Sequence, residues 1–329
     1  MVGIFKERNT FQVPFLFIIG ILTKLVYILH PPAIVYLPHQ GILTDGLNTW
    51  YASGNNGFLS AVLAVVINLG CAVSANALLM NQRMFSKTNL LVALSMVLMS
   101  SLIPVANILT APLLLLPLLI WIYHQGALLY HSGSPKSKLF NIGIGIGVGT
   151  LLYNPFILVI LVAMFALGTM RPFKLQEWLV LLMGLLAPYY FFFAYEFLKE
   201  QWHPKEHLPL FLFGYRHINH SLYSLLAYGT IVVWTMIGLY HWQNNLRRML
   251  IQGRKNWNVI LLLAAVCSVL LFVKTGNEMD AFALAVFPLG AFASSAFAYA
   301  NRNFLPLLLF WLIIAMIILT SLRHYDGVV

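Results

Sequence analysis

The stretch that decides how this chain is threaded reads Phe140-Asn-Ile-Gly-Ile-Gly-Ile-Gly-Val-Gly-Thr-Leu-Leu-Tyr-Asn154-Pro155-Phe and stays apolar to Met170. As one helix, residues 140–170 would be about 46 Å long, whereas the hydrocarbon core of a bilayer is about 30 Å thick. Proline removes a backbone donor and disfavours helix in the residue before it, so Asn154-Pro155 marks a break. We predict a short helical hairpin at 140–170 that returns the chain to the side it left.

The composition of the whole chain agrees with a membrane setting. Of 329 residues, 60% are hydrophobic and 9% are charged, with a mean hydropathy of +0.84, whereas soluble domains carry about 25% charged residues. At about 20 residues per crossing, the length leaves no room for a separate soluble catalytic domain. We predict an all-α, polytopic integral membrane helical bundle with about 11 transmembrane helices, forming a single transmembrane domain over residues 1–329.

The basic residues predict the orientation. With the hairpin, thirteen of the 19 Lys and Arg residues share the side of the N-terminus and five lie opposite; a single span at 140–170 would give eleven against seven. The positive-inside rule favours the first arrangement. The first apolar run, from about Phe11 to Leu29, precedes His30-Pro31-Pro32 instead of a cleavage site, which indicates a retained span. We predict a multi-pass protein of the bacterial inner (cytoplasmic) membrane with a cytoplasmic N-terminus. The predicted spans are 12–29, 58–80, 89–108, 111–130, the hairpin, 177–198, 219–241, 257–273, 279–300 and 304–321.

Two longer connections, 30–57 and 199–218, are predicted to lie outside. The first has a single carboxylate, Asp45, no Lys or Arg, and His39 and Trp50 nearby. An isolated acid beside aromatic residues at a membrane surface suits a general base that takes a proton from a hydroxyl. Thr44-Asp45-Gly46 is equally an ordinary turn or helix-start signal, and both interpretations stay open.

The second connection is rich in basic residues, histidines and aromatics. Lys205, Arg216 and His217 could hold the phosphate of a lipid headgroup at the outer face. His203 to His207 has the order of a metallopeptidase motif, but Pro204 follows the first histidine directly. The two cysteines lie in separate apolar runs and form no metal motif. We therefore predict no metal and no cofactor.

Lys24 is the one basic residue placed within a predicted span. A charge at that depth costs about 2.5–3.5 kcal/mol on insertion scales, so it should face the bundle. It either serves structure by bonding to neighbouring polar groups or binds an anionic substrate. The alternating glycines from Gly143 to Gly149 form two interleaved G-x-x-x-G pairs, which predict close helix packing.

Eight short motifs carry a resemblance over nearly the whole chain. They are Gly3-Ile-Phe-Lys6, Asn81-Gln82-Arg83-Met84, Ala111-Pro112-Leu113, Lys138-Leu-Phe-Asn141-Ile-Gly143, Leu151-Leu-Tyr153-Asn-Pro155, Met170-Arg171-Pro172-Phe173, Glu177-Trp178-Leu179-Val180 and Ala187-Pro188-Tyr189-Tyr190. With these motifs the chain resembles an uncharacterised polytopic membrane family of Bacteroidota. That family has no assigned activity, so the resemblance implies a fold class and no chemistry.

A remoter resemblance concerns the order of the elements. A first span, an outer loop with an acid, a second span ending in the turn Arg83-Met84-Phe85, two spans and a Gly-rich hairpin are similar to the N-terminal half of GT-C glycosyltransferases. This resemblance implies that Asp45 is the base and that the donor is a polyprenyl-phosphate sugar. The loop has one acid where that superfamily often has two, so a non-catalytic GT-C-like scaffold stays open.

Three functions are compatible with these observations. The first is a transferase that moves a sugar from a polyprenyl-phosphate donor at the outer face, with Asp45 as base. The second is a non-catalytic subunit of an envelope assembly that binds protein partners. The third is a transporter, for which the spans contain few polar residues. Membrane lipids are expected partners in all three, and nucleic acid in none, because the net charge of +10 follows the membrane topology.

Overall fold

The computed structural model describes residues 2–6, 11–32, 41–52, 56–130, 133–200, 222–273, 280–300 and 304–326. Within these ranges every regular element is a helix, which confirms the all-α prediction. Short 3-10 turns cover Pro104–Asn107, Asn154–Leu158 and Leu246–Arg248. The α-helices are α1 (Val2–Lys6), α2 (Gln12–Leu29), α3 (Ile42–Ala52), α4 (Gly57–Asn81), α5 (Leu91–Ser101), α6 (Ala111–Ala127), α7 (Pro135–Leu152), α8 (Val159–Met170), α9 (Leu175–Leu198), α10 (Leu222–Asn245), α11 (Ile251–Leu270), α12 (Phe282–Ala298) and α13 (Phe304–Asp326).

Two helices form the centre of the bundle. Every residue of α5 is buried, and so is nearly all of α12, because both are apolar on all faces. They pack against each other where Gly290 meets Met96: a Cβ at Gly290 would lie 2.8 Å from the Met96 Cγ. Helices α2, α4, α6, α10, α11 and α13 surround this pair.

The reversal predicted at Asn154-Pro155 is present. Helix α7 ends at Leu152, and α8 begins at Val159 after one 3-10 turn. At the other ends of these helices, Lys138 donates to the Leu128 carbonyl at 3.3 Å and Arg171 to the Leu129 carbonyl at 3.5 Å. Because both arms of the hairpin contact the same connection, the chain returns to the side it left. The hairpin begins at Pro135, five residues earlier than predicted.

The direction of α9 supports the same threading. A Cβ at Gly143 would lie 2.4 Å from the Leu181 carbonyl oxygen, and one at Gly147 would lie 2.5 Å from that of Leu185. Both contacts advance by one helical turn in the same sense, so α7 and α9 run parallel. A parallel pair requires an even number of reversals between them. The turn at Asn154-Pro155 supplies one, and the connection from Met170 to Leu175 supplies the other. The predicted role of these glycines in close packing is confirmed.

Five of the described helices are long and apolar enough to cross a membrane: Gln12–Leu29, Gly57–Asn81, Leu175–Leu198, Leu222–Arg248 and Phe304–His324. Other apolar helices are shorter, and the predicted third span, 89–108, is the 11-residue α5 followed by the turn Pro104–Asn107. At about 1.5 Å per residue, α5 alone is about 16 Å long. The number of about 11 crossings therefore stays a prediction.

The bundle has two chemically different ends. One, which we call the basic end, contains the end of α4, the start of α7, the end of α8 and the connection between α10 and α11. Eleven of the described Lys and Arg residues lie there: Lys6, Arg83, Lys87, Lys136, Lys138, Arg171, Lys174, Arg247, Arg248, Arg254 and Lys255. The opposite end carries α3 and the tip of the hairpin, and we call it the α3 end.

Candidate functional site at the α3 end

The first long connection contains a helix where the sequence analysis predicted a loop. Helix α3 begins immediately after Gly41, whose φ is +138°. A Cβ at Gly41 would lie 2.4 Å from the Leu152 carbonyl oxygen. Both the backbone conformation and the close approach therefore require glycine at this position. The result is that the start of α3 rests directly on the tip of the hairpin.

Asp45 lies in the first turn of α3 and is half-buried. Its backbone N–H donates to the Gly41 carbonyl at 3.1 Å. A carboxylate in the first turn of a helix is stabilised by the helix dipole and by the free backbone N–H groups of that turn. The acid singled out in the sequence thus belongs to an ordered helix at the surface of the bundle.

Two hydroxyl groups at the α3 end are buried without a hydrogen-bond partner in the described part of the chain. They belong to Thr44, next to Asp45, and to Thr110, at the start of α6. A buried hydroxyl without a partner costs free energy. The α3 end thus contains two buried hydroxyl groups, one of which belongs to the residue that precedes the half-buried acid.

Aromatic side chains hold the C-terminal end of α3 in place. The Tyr51 hydroxyl donates to the Leu109 carbonyl at 3.1 Å and also contacts the Ser60 hydroxyl. Ser60 in turn accepts from the Leu109 N–H at 2.9 Å. Trp50 is half-buried, and its ring meets that of Tyr51 edge-on at 4.9 Å between centroids. Helix α3 is therefore fixed to the segment that joins α5 to α6.

Lys24 is fully buried in α2 and faces the same joining segment. Its ammonium group donates to the Ser100 hydroxyl at 2.8 Å and to Asn107 Oδ1 at 2.5 Å. The Asn107 amide donates to the Ser100 and Ile103 carbonyls at 3.1 and 3.0 Å. These bonds satisfy buried backbone carbonyls at the end of α5 and in the turn that follows it. Of the two roles considered for Lys24, the geometry therefore matches the structural one.

The remaining predicted site residues, His39, Lys205, Arg216 and His217, lie outside the described residues, as does the motif from His203 to His207. Ser100 and Asn107, the partners of Lys24, were not predicted from the sequence. The signal that could have revealed them is the cluster of polar residues, Ser100-Ser101 and Asn107, within an otherwise apolar run.

The fold and the site together define an all-helical protein with several helices that can span a membrane. The chain belongs to DUF6427, a family of unknown function whose model matches residues 41–326. No curated protein and no solved structure matches the chain. The comparisons thus agree with a family without assigned activity, while the remoter resemblance to GT-C transferases stays a prediction.

Proposed function

We propose that the protein is a GT-C-like transferase of the bacterial inner membrane that moves a sugar from a polyprenyl-phosphate donor to an acceptor hydroxyl. The N-terminus would be cytoplasmic and the α3 end would face outward. The observation that carries the proposal is the placement of Asp45, a half-buried carboxylate on a helix that is fixed to the hairpin tip and to the segment between α5 and α6.

In the proposed reaction the oxygen of the acceptor hydroxyl attacks the anomeric carbon of the sugar, and Asp45 accepts the proton of that hydroxyl. The bond from that carbon to the donor phosphate breaks, and polyprenyl phosphate leaves with the electron pair. Lys205, Arg216 and His217 would neutralise this phosphate. Trp50 would pack against the sugar or the lipid.

The experiment compares Asp45→Asn with Glu200→Gln, which removes an exposed acid at the end of α9. Each variant replaces the native protein in its host, and membrane lipids are analysed by mass spectrometry. We expect Asp45→Asn to accumulate a polyprenyl-phosphate sugar that Glu200→Gln and the wild type do not accumulate. Equal lipid profiles for Asp45→Asn and the wild type, with both proteins inserted in the membrane, would remove Asp45 from catalysis.

A second function, a non-catalytic subunit of an envelope assembly, is favoured by the bonds of Lys24. The deepest cation in the described bundle serves packing, as expected of a scaffold. The two functions differ in what they require of α3. A scaffold needs α3 docked on the hairpin tip but does not need the Asp45 carboxylate, so it tolerates Asp45→Asn. It fails with Gly41→Ala, because the new Cβ would clash with the Leu152 carbonyl and disrupt the docking of α3. A transferase fails with both variants.

A further inference from the structure

A cavity of about 500 Å³ opens at the basic end, on the side of the bundle opposite to Asp45. We call it the basic pocket and define it by its polar lining residues, Arg83, Ser86, Asn245, Arg248 and Tyr299; apolar side chains complete its walls. The residues come from the turn after α4, the turn after α10 and the end of α12. Three distant parts of the sequence thus meet around one polar cavity.

The backbone of Arg83 is in the left-handed region, with φ of +53°. Arg83 follows the C-cap Gln82 of α4: its N–H donates to the Met80 carbonyl at 3.0 Å, and the Met84 N–H donates to the Leu79 carbonyl at 3.2 Å. This is the Schellman pattern, in which the left-handed position usually carries glycine. An arginine in this conformation costs free energy compared with a glycine. Strained residues of this kind cluster at functional sites, so the Arg83 side chain is a candidate for a binding role.

The turn that carries Arg83 is held rigidly by two neighbouring helices. Gln82 Oε1 accepts from the Tyr123 hydroxyl at 3.2 Å and from the Asn256 amide at 3.1 Å. The Met84 carbonyl accepts from the Trp257 indole N–H at 3.3 Å. These bonds keep the backbone of Arg83 in its strained conformation. The point at which the Arg83 side chain leaves the backbone is therefore fixed at the pocket wall.

The pocket has positive charge that nothing described neutralises. Neither Arg83 nor Arg248 forms an ion pair or side-chain hydrogen bond with another described residue, and both are exposed. The one acid described at the basic end, Glu177, is paired with Arg171 at 3.2 Å. Tyr299 lies just beyond α12. Its phenol is neutral at physiological pH and can donate a hydrogen bond.

We infer that the basic pocket binds a phosphate-bearing anion, held by the guanidinium groups of Arg83 and Arg248 and by neutral donors from Ser86, Asn245 and Tyr299. Arginine suits phosphate because its planar group donates two parallel bonds. The same chemistry fits the headgroup of an anionic phospholipid and a soluble phosphate compound. The site is independent of the proposed transfer reaction, since it lies at the other end of the bundle.

The experiment uses the purified full chain and measures its thermal midpoint as ligand is added. One arm adds inorganic phosphate in a neutral detergent, and the other compares phosphatidylcholine nanodiscs with and without phosphatidylglycerol. A ligand that binds only the folded state raises the midpoint by mass action. A rise in the phosphate arm identifies a free-phosphate site, and a rise in the lipid arm alone identifies a headgroup site.

Three variants separate the pocket from the general charge of this end. Arg83→Gly removes the cation and places glycine where the backbone favours it, so its midpoint without ligand should equal or exceed that of the wild type. Arg248→Gln removes the second cation. Arg247→Gln is the matched control, because Arg247 is the exposed neighbour of Arg248 and does not line the cavity.

We expect Arg83→Gly and Arg248→Gln each to need about tenfold more ligand, or more, for the same rise in midpoint, because each loses a charge-assisted hydrogen bond. Arg247→Gln should respond like the wild type. The inference is overturned if the wild type responds in neither arm, or if the three variants respond alike. Should Arg83→Gly prove poorly folded, the comparison of Arg248→Gln with Arg247→Gln decides alone.

Discussion

At the scale of single residues, Lys24 shows how a cation is kept inside the bundle by neutral groups. Its bonded partners are the Ser100 hydroxyl and the Asn107 amide oxygen. The cost of burying an ammonium group is offset when its protons are hydrogen-bonded. Asn107 also donates to the Ser100 and Ile103 carbonyls, so the lysine completes a network that closes this helix end.

We predict that Lys24→Met lowers the free energy of unfolding by about 1–3 kcal/mol, because Asn107 Oδ1 loses its donor in a buried site. Lys87→Met is the control: Lys87 is exposed at the basic end, and its replacement should change stability little. Thermal unfolding in detergent measures both. A Lys24→Met protein that keeps wild-type stability but accumulates the polyprenyl-phosphate sugar in its host would instead assign Lys24 to ligand binding.

Two glycines on either side of Asp45 give a matched pair of substitutions. Gly41→Ala should destabilise the docking of α3, because φ is +138° and the Leu152 carbonyl oxygen is 2.4 Å from the new Cβ. Gly46→Ala lies within α3 with nothing within 4 Å and should stabilise the helix by about 0.5–1 kcal/mol. Protease protection of residues 41–52 reports the difference. Equal protection in both variants would contradict the close approach of Gly41 to Leu152.

At the scale of helices, α7 and α9 pack closely through their backbones over two successive turns. Gly143 and Gly147 lie on the face of α7 that meets the Leu181 and Leu185 carbonyls. Helix α9 is otherwise mostly exposed and makes its main contacts with α7. Its position relative to the rest of the bundle therefore depends on small residues at this one interface.

We predict that Gly143→Ala and Gly147→Ala each lower the free energy of unfolding by about 1–3 kcal/mol, because backbone atoms cannot move away as a side chain can. Gly70→Ala in α4 is the control, since nothing lies within 4 Å of its new Cβ. Helix propensity alone favours all three substitutions by about 1 kcal/mol. Unfolding in detergent distinguishes the effects, and a stabilised Gly143→Ala protein would disprove the packing.

At the scale of the whole molecule, the charges divide the bundle into two ends. Among the described residues, eleven Lys and Arg lie at the basic end, and two, Lys199 and Arg323, lie at the α3 end. Such a difference in basic residues sets orientation during insertion. It predicts that the basic pocket faces the cytoplasm and that Asp45 faces outward.

We predict that a thiol introduced by Asn244→Cys in intact cells does not react with an impermeant reagent, whereas one introduced by Lys199→Cys does. Both positions are exposed, and they lie at opposite ends of the bundle. The native Cys71 and Cys267 are buried and should not contribute background. The reverse labelling pattern would invert the proposed orientation, and reaction at both positions would show that the protein does not separate two compartments.

The site could be predicted from the sequence only in part. Asp45 was found because it is the single carboxylate of an otherwise uncharged connection, and Lys24 because it interrupts an apolar run. The partners of Lys24, Ser100 and Asn107, follow it by more than 70 residues. Nothing in the local pattern of α2 indicates which distant segment it meets, since hydrophobic periodicity describes a face and not its partner.

The sequence by itself determined the helical class of this protein, the reversal at Asn154-Pro155 and the division of charge along the chain, because hydropathy, proline and basic residues act locally. Only the tertiary structure decided that α3 is a docked helix, that α7 and α9 run parallel, and that Arg83 meets Arg248 and Tyr299 around one cavity. Those features depend on contacts between residues far apart in the chain. Their energies come from packing and buried hydrogen bonds that form once the helices have assembled.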